Sequence, residues 1–360
     1  MFGDREPWVS ERLTIAAVRP GWYAHHCKDN EAWFSCNETI IRANIENDSW
    51  KKVTRLPCYS IQRMFKGLQT FERLFRLRVK SYVQIDDETF LLFLKGRVFF
   101  WEAGLENPQY LGQVERGNGP LPSGCCVDNN GVCYFGEYWG NEKRESVSVY
   151  SWERGQATWQ RLYSFTQGEI RHIHAVQFDP FTKRVWVTTG DRDEECFIGY
   201  FEKTGAGVAF IPVAQGSQHA RAASLLFTGE YVYWGSDAGK DTRVESNWIY
   251  RWSREHGELE QVENVGGPVY YSTMDDKGRM FFSTGVEGSL SERDRYCRIW
   301  MSEDGELWRE IVRFEKDNYP MIFGYGLISF PQGTPSGNRI YAVASGVRES
   351  AGTWILEFLK

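Results

Sequence analysis

An all-β chain folded as a seven-bladed β-propeller is predicted by three observations: a strand pattern that recurs seven times, a composition rich in aromatics and glycine, and a mismatch of strands at the two chain ends. The recurring pattern is clearest in one apolar-aromatic strand. It reads VCYFGEY from Val132, VWVTTGD from Val185, YVYWGSD from Tyr231, MFFSTGV from Met280 and IYAVASG from Ile340, at spacings of 46 to 60 residues. A four-stranded propeller blade takes roughly 40–50 residues, so each copy reads as one blade. Earlier copies begin at Ala32 (AWFSCNETIIRANIE) and Phe90 (FLLFLKGRVFFWEAG).

The composition agrees. Of 360 residues, 16% are aromatic, with 15 Trp and 35 Gly, which suits half-buried pleated surfaces joined by tight turns. The last copy has no outer strand after Phe358, while a strand-like segment from Arg12 to Val18 precedes the first copy. The N-terminal segment is therefore expected to complete the final blade, leaving only short, protected edges. A ring of six or eight blades is the alternative, because Ser60 to Lys80 is irregular. That stretch is basic (Arg63, Lys66, Arg73, Arg76, Arg78, Lys80) and reads as a surface loop or short helix. One domain over residues 1–360 is expected.

A formal net charge of −6 argues against nucleic acid or an anionic membrane as partner. No apolar run approaches the ~20 residues of a membrane span. The opening residues Met1 to Glu6 lack a charged-then-apolar leader. The protein is thus expected to be cytoplasmic if this is its native start, and secreted or periplasmic if a leader was removed. The 8 Cys show no CxxC spacing, which favours free, mostly buried thiols, with Cys196 and Cys297 at equivalent points of two repeats. There is no P-loop and no dinucleotide-type GxGxxG; Gly117-Asn118-Gly119 reads as an inter-blade turn.

Two turns resemble the Asp-box (BNR) hairpin, Ser-x-Asp-x-Gly-x-x-Trp, of the sialidase-like β-propellers. Ser302 to Trp308 is one residue shorter, and Ser151 to Trp159 has Glu153 for Asp and one residue extra. The resemblance implies a structural role: a short acid accepts N–H bonds within the turn and the Trp packs between blades. Thr54-Arg55-Leu56-Pro57 resembles the Arg-Ile-Pro motif of sialidases. Arg55, however, ends an outer strand and no further arginines align with it, so sialidase activity is not expected. A repeated Arg-Glu-Ser element (Arg144-Glu145-Ser146, Arg243-Val244-Glu245-Ser246, Arg348-Glu349-Ser350) reads as a loop-anchoring ion pair.

Propeller geometry restricts where a ligand site can lie. Loops into the inner strand and loops between the second and third strands open on one face. The latter are tight at Asn37-Glu38 and Lys95-Gly96 but long from Glu137 to Ser146, Asp191 to Glu195, Asp237 to Ser246 and Glu287 to Tyr296. Long loops on a rigid scaffold are where function concentrates. Aligning inner strands places His174, Arg221, Tyr270 and Tyr325 at one level of the channel, near Ser123 of the third copy. His172 and His219 lie two residues nearer the rim, and Asp191 and Asp237 end second strands on the same face.

That set suits β-elimination beside a uronic acid. Arg221 would neutralise the carboxylate, His174 would take the C5 proton, and Tyr270 or Tyr325 would protonate the leaving oxygen. By residue type it resembles the site of propeller-type polysaccharide lyases. Glycoside hydrolysis is the alternative enzyme, with Asp191, Asp237 and Glu137 as candidate carboxyl groups. No cofactor is required, although His172, His174 and Asp191 are suited to a divalent metal. Tyr138, Trp139 and Trp248 are expected to be exposed and to stack on sugars or anchor a partner. The expected partner is a carbohydrate bound by a monomer, and a non-catalytic glycan- or protein-binding propeller is the competing class.

Overall fold

The computed structural model describes residues 5–56, 78–205 and 207–359. The basic stretch after Ser60, as far as residue 77, and Pro57 lie outside the described residues. Strands form seven sheets, five of four strands and two of five. Blades 1 to 6 run in chain order: Trp22–Arg55, Ser81–Gln113, Cys125–Phe165, His172–Gln215, Ala222–Asn264 and Val269–Glu315. Among the described residues no helix is long and apolar enough to cross a membrane.

Blade 7 is built from both ends of the chain. Its inner, second and third strands are Leu327–Ser329, Arg339–Ser345 and Gly352–Phe358, and its outermost strand is Leu13–Pro20. Leu13 pairs with Phe358 and Pro20 with Gly352, antiparallel. The sequence places this strand at Arg12 to Val18, so its existence and role agree and its end lies two residues further on. A second N-terminal piece, Trp8–Val9, adds a fifth strand to blade 6 against Val312 and Arg313.

Neighbouring blades are joined by apolar clusters and by hydroxyl groups that donate to the next inner strand. Thr188 Oγ1 reaches the Ala222 carbonyl at 2.6 Å, and Ser283 Oγ reaches that of Ile328 at 2.6 Å. At the seam, Thr353 Oγ1 donates to Trp22 O (2.8 Å) and accepts from Ala24 N (3.0 Å). Buried hydroxyls must find such partners, so each bond also fixes the spacing of two blades. The turn at Ser302 behaves as the local chemistry requires: Asp304 Oδ1 accepts from Glu306 N (2.9 Å) and Leu307 N (3.0 Å). Trp308 is buried between Tyr233 of blade 5 and Phe282 of blade 6. In the other turn Gln156, not Glu153, makes the bond, accepting from Glu153 N. The seven described cysteines are free.

The channel is filled on the side away from the long loops. Gln332–Pro335 runs parallel to the last residues of the first inner strand, His26 to Asp29. Gln332 Nε2 then reaches across to Cys125 O of blade 3 (3.1 Å), and Pro335 O accepts from Asp276 N of blade 6 (3.0 Å). The loop rim on the open side is uneven. Lys95 and Gly96 both take positive φ (51° and 76°), as a tight two-residue hairpin demands, so blade 2 is low there. Blades 3, 5 and 6 instead carry loops from Gly136 to Val147, Ser236 to Trp248 and Thr284 to Tyr296.

Leu13→Ala should cost about 2–4 kcal/mol in denaturant unfolding, because Leu13 is buried in the cluster shared by blades 6 and 7. A change within ~0.5 kcal/mol would place the N-terminal strand outside the cooperative fold. Burial lowers His25 and His26 from 6.5 to about 4. Unfolded chains therefore take up protons first on acidification, and the stability from these neutral rings should be lost as pH falls from 6.5 towards 4. Melting temperatures across that window should decline less steeply in His25→Gln; an identical slope would contradict the assignment.

Candidate functional site

His172 opens the inner strand of blade 4 and His174 follows on the same face. The ladder steps from Ile173–Thr189 to Ala175–Thr188, leaving His174 in a bulge that aims its ring inward. Tyr270 occupies the matching bulge of blade 6, between Val269–Thr284 and Tyr271–Ser283. Gly190, opposite His172, makes room: a Cβ there would lie 2.8 Å from His174 Cε1 and 3.2 Å from Arg221 Cγ.

The nitrogen atoms define the chemistry. His172 Nδ1 lies 3.0 Å from the Trp139 carbonyl oxygen, which can only accept, so Nδ1 carries a hydrogen and the ring turns Nε2 into the cluster. Nε2 lies 3.0 Å from His174 Nε2 and 3.2 Å from Asp191 Oδ1. His174 Nε2 is 3.3 Å from the same oxygen. Burial lowers His174 to about 4, so its ring is neutral near pH ~7. Donor atoms about 2.0–2.2 Å from one small cation stand about 2.9–3.4 Å apart. The three distances fall in that range, and among the described residues these three form the one His/Cys/Asp/Glu group so gathered.

Burial would raise Asp191, but its contacts with His172 and His174 outweigh this and hold it well below the usual carboxylate range. Oδ2 accepts from Arg171 Nη1 at 2.7 Å, and Oδ1 lies 3.4 Å from Arg221 Nη2. Its carbonyl accepts from Gln218 Nε2 (2.8 Å) and Arg221 Nη1 (3.2 Å). Its N–H faces Glu195, which Arg144 of blade 3 grips at 2.6 Å. Arg144 belongs to the repeated Arg-Glu-Ser element, so the anchoring ion pair is found there, and again between Arg348 and Glu315 at 2.8 Å.

Across from this cluster, Arg221 Nη1 contacts both Asp241 oxygens at 3.1 Å. Tyr270 OH donates to Glu287 Oε2 at 2.7 Å, and Lys240 N donates to Glu287 Oε1 at 2.7 Å. The Lys240 ammonium stands 5.0 Å from the Tyr325 ring. Asp237 is buried with Oδ1 unpartnered, and burial pushes its carboxyl well up, only partly offset by Arg221. Tyr138 packs on His172 at 4.3 Å, with the Lys80 ammonium 5.0 Å from its ring; burial, then Asp191 and Asp237, raise its phenol to about 12.

Tyr138, His172, His174, Asp191 and Arg221 thus meet in one contact network, with Asp237, Tyr270 and Tyr325 in its electrostatic surroundings. His219 is not brought in: it bonds Ser217 and packs beside Tyr250. His174 (3% exposed) and Arg221 (7%) are buried. Tyr138, Trp139 and Trp248 are half-buried, not exposed; Trp139 lends its carbonyl, and Trp248 Nε1 bonds Ser246. Glu137 is tied into blade 3 by Ser148 N (2.8 Å) and the Tyr150 hydroxyl (3.2 Å). Sequence reasoning passes over Arg171, Asp241 and Glu287. The last two lie in loops it marks as functional, and Arg171 directly precedes His172.

No protein-family model and no curated protein sequence matches the chain. Solved structures do. An oligogalacturonate lyase in complex with manganese superposes with TM-score 0.63 at 10% identity, over 99% of this chain and 96% of that one. The oligogalacturonate lyase of Vibrio parahaemolyticus gives 0.60 at 10%, over 98% and 96%. The WD40 β-propeller domain of Doa1 gives 0.57 at 14%, over 99% and 98%. At these identities the likeness is one of fold, the seven-bladed β-propeller.

Proposed function

We propose that this propeller binds a uronate-containing glycan and cleaves it by β-elimination, with a divalent cation held by His172, His174 and Asp191. The observation that carries the reading is the approach of His172 Nε2, turned by the Trp139 carbonyl, to His174 Nε2 and Asp191 Oδ1. The three atoms stand 3.0–3.3 Å from one another, a spacing that suits donors to a single small cation. Two imidazoles and one carboxylate suit manganese or another borderline divalent metal. The manganese-bound oligogalacturonate lyase of the same fold supports the choice.

When bound, such a cation supplies Lewis-acid charge that stabilises the anion developing on a uronate carboxylate. Arg221 binds that carboxylate and orients the sugar. His174, the base expected from sequence, is engaged as a ligand on this reading. The proton transfers fall to the neighbouring pair: Glu287 accepts the C5 proton and the Tyr270 hydroxyl protonates the leaving oxygen. The C5–H and C4–O bonds break and a C4–C5 double bond forms. The Gln332–Pro335 segment lies in the channel on the far side, so sugar enters and leaves over the loop face.

Incubation with oligogalacturonate and Mn²⁺ should produce the ultraviolet absorbance of the unsaturated uronate. EDTA should abolish it and excess Mn²⁺ restore it. His172→Gln should lower the rate at least tenfold to a hundredfold, the scale seen even for outer-shell partners of metal sites. Absence of the signal on every uronate polymer, with and without metal, would contradict the lyase reading. Gly190→Ala should cost about 1–3 kcal/mol and weaken Mn²⁺ binding, because the new methyl displaces the His174 ring. Unchanged stability and binding would show that the ring is not confined.

A further inference from the structure

The Arg221 guanidinium is shared by two carboxylates that differ in kind. Asp191 is buried and held from several sides. Asp241 sits near the tip of the loop between Ser236 and Trp248, its side chain 44% exposed against 8% for Arg221. Its contact is made to one guanidinium nitrogen, 3.1 Å from each oxygen, and lacks the paired fork that makes arginine–carboxylate bonds strong. No other partner of the Asp241 side chain occurs among the described residues.

The loop carrying Asp241 is fixed at its base and laid over the site at its tip. Asn247 bonds both Ala238 N (2.9 Å) and Ala238 O (3.0 Å), and its amide also reaches Ser291 Oγ (2.7 Å). From that base the tip crosses to blade 6, where Lys240 N meets Glu287, and on to Tyr325 ahead of blade 7. Gly239 passes so close that a Cβ would stand 2.0 Å from Glu287 Oε1. The tip is thus held over the same groups to which the β-elimination reading assigns chemistry, with a carboxylate resting on the one arginine that would receive the sugar's carboxylate.

We infer that Asp241 is a specificity-determining residue: it occupies the carboxylate position on Arg221 and is exchanged for the carboxylate of an acidic sugar. This rests on Arg221 being the carboxylate receptor of the proposed site. An acidic ligand replaces one anion by another and leaves the buried arginine neutralised. A neutral sugar that displaced Asp241 would strand part of that charge, so the exchange itself discriminates.

Calorimetric titration with D-galacturonate and with D-galactose tests this, using the Mn²⁺-loaded wild type, Asp241→Asn and Asp241→Ser. Both variants leave the Arg221 guanidinium with Asp191 as its remaining carboxylate and should stay folded while melting below the wild type. Removal of the competing anion should tighten galacturonate binding about threefold to tenfold in both, and galactose, which no longer has an anion to displace, should also bind both variants better than the wild type. Unchanged or weaker galacturonate binding in the two variants, or no galacturonate binding in any of the three proteins, overturns the inference. Tightening without any elimination activity would remove the lyase reading and leave the exchange standing. Elimination with unaltered affinity would remove the exchange alone.

Discussion

The Asp191 carboxylate is the interaction on which the rest of the site depends. Its two oxygens gather His172, His174, Arg171 and Arg221, drawn from two blades. The two guanidinium groups are costly to bury alone, and a single ionised carboxylate offsets them together. The backbone of Asp191 does comparable work, since its carbonyl fixes Gln218 and Arg221 of the next blade and its N–H rests on Glu195. Through Glu195 the arrangement extends to Arg144, so blades 3, 4 and 5 are set by one chain of charges. Groups positioned this way keep their geometry without ligand, which is what a binding or catalytic constellation requires.

Ring closure supplies the rigid frame. Pairing of the first long strand with the last joins the chain ends in one sheet, and the hydroxyl bonds at the seam repeat those between other blades. The strand at Gln332–Pro335 has a different effect: it fills the channel away from the loops and leaves the loop face as the way in. Among the described residues the hairpins between second and third strands are tight on blades 1 and 2 and long on blades 3, 5 and 6, so the loops beside the charged cluster come from one part of the ring.

Much of this was legible in the sequence, for identifiable reasons. Blade number and N-terminal closure follow from a repeat whose period is long and whose ends do not match. His172 and His174 share a face by strand alternation alone, and Asp191 falls beside them because it ends the adjacent strand. What escaped detection lacks a period. Trp8–Val9 and Gln332–Pro335 are short strands whose partners are distant in the chain. Alignment of inner strands gives a level along the channel and no burial depth, so the near-complete burial of His174 and Arg221 was not legible. His219 was drawn into the site by its spacing from Arg221, but a short 3₁₀ turn over Gln218–Ala220 rotates it towards Tyr250. Asp241 looked like any loop acid, since nothing local marks a residue whose partner is a buried arginine.

The central claim is that His172, His174 and Asp191 are the ligands of one divalent cation, and crystals grown with Mn²⁺ test it most directly. Anomalous scattering from such crystals should show a single peak between His172 Nε2, His174 Nε2 and Asp191 Oδ1, with Arg171 still on the second Asp191 oxygen. A map with Mn²⁺ elsewhere, or with both imidazoles and the carboxylate in place and no peak between them, would contradict the account.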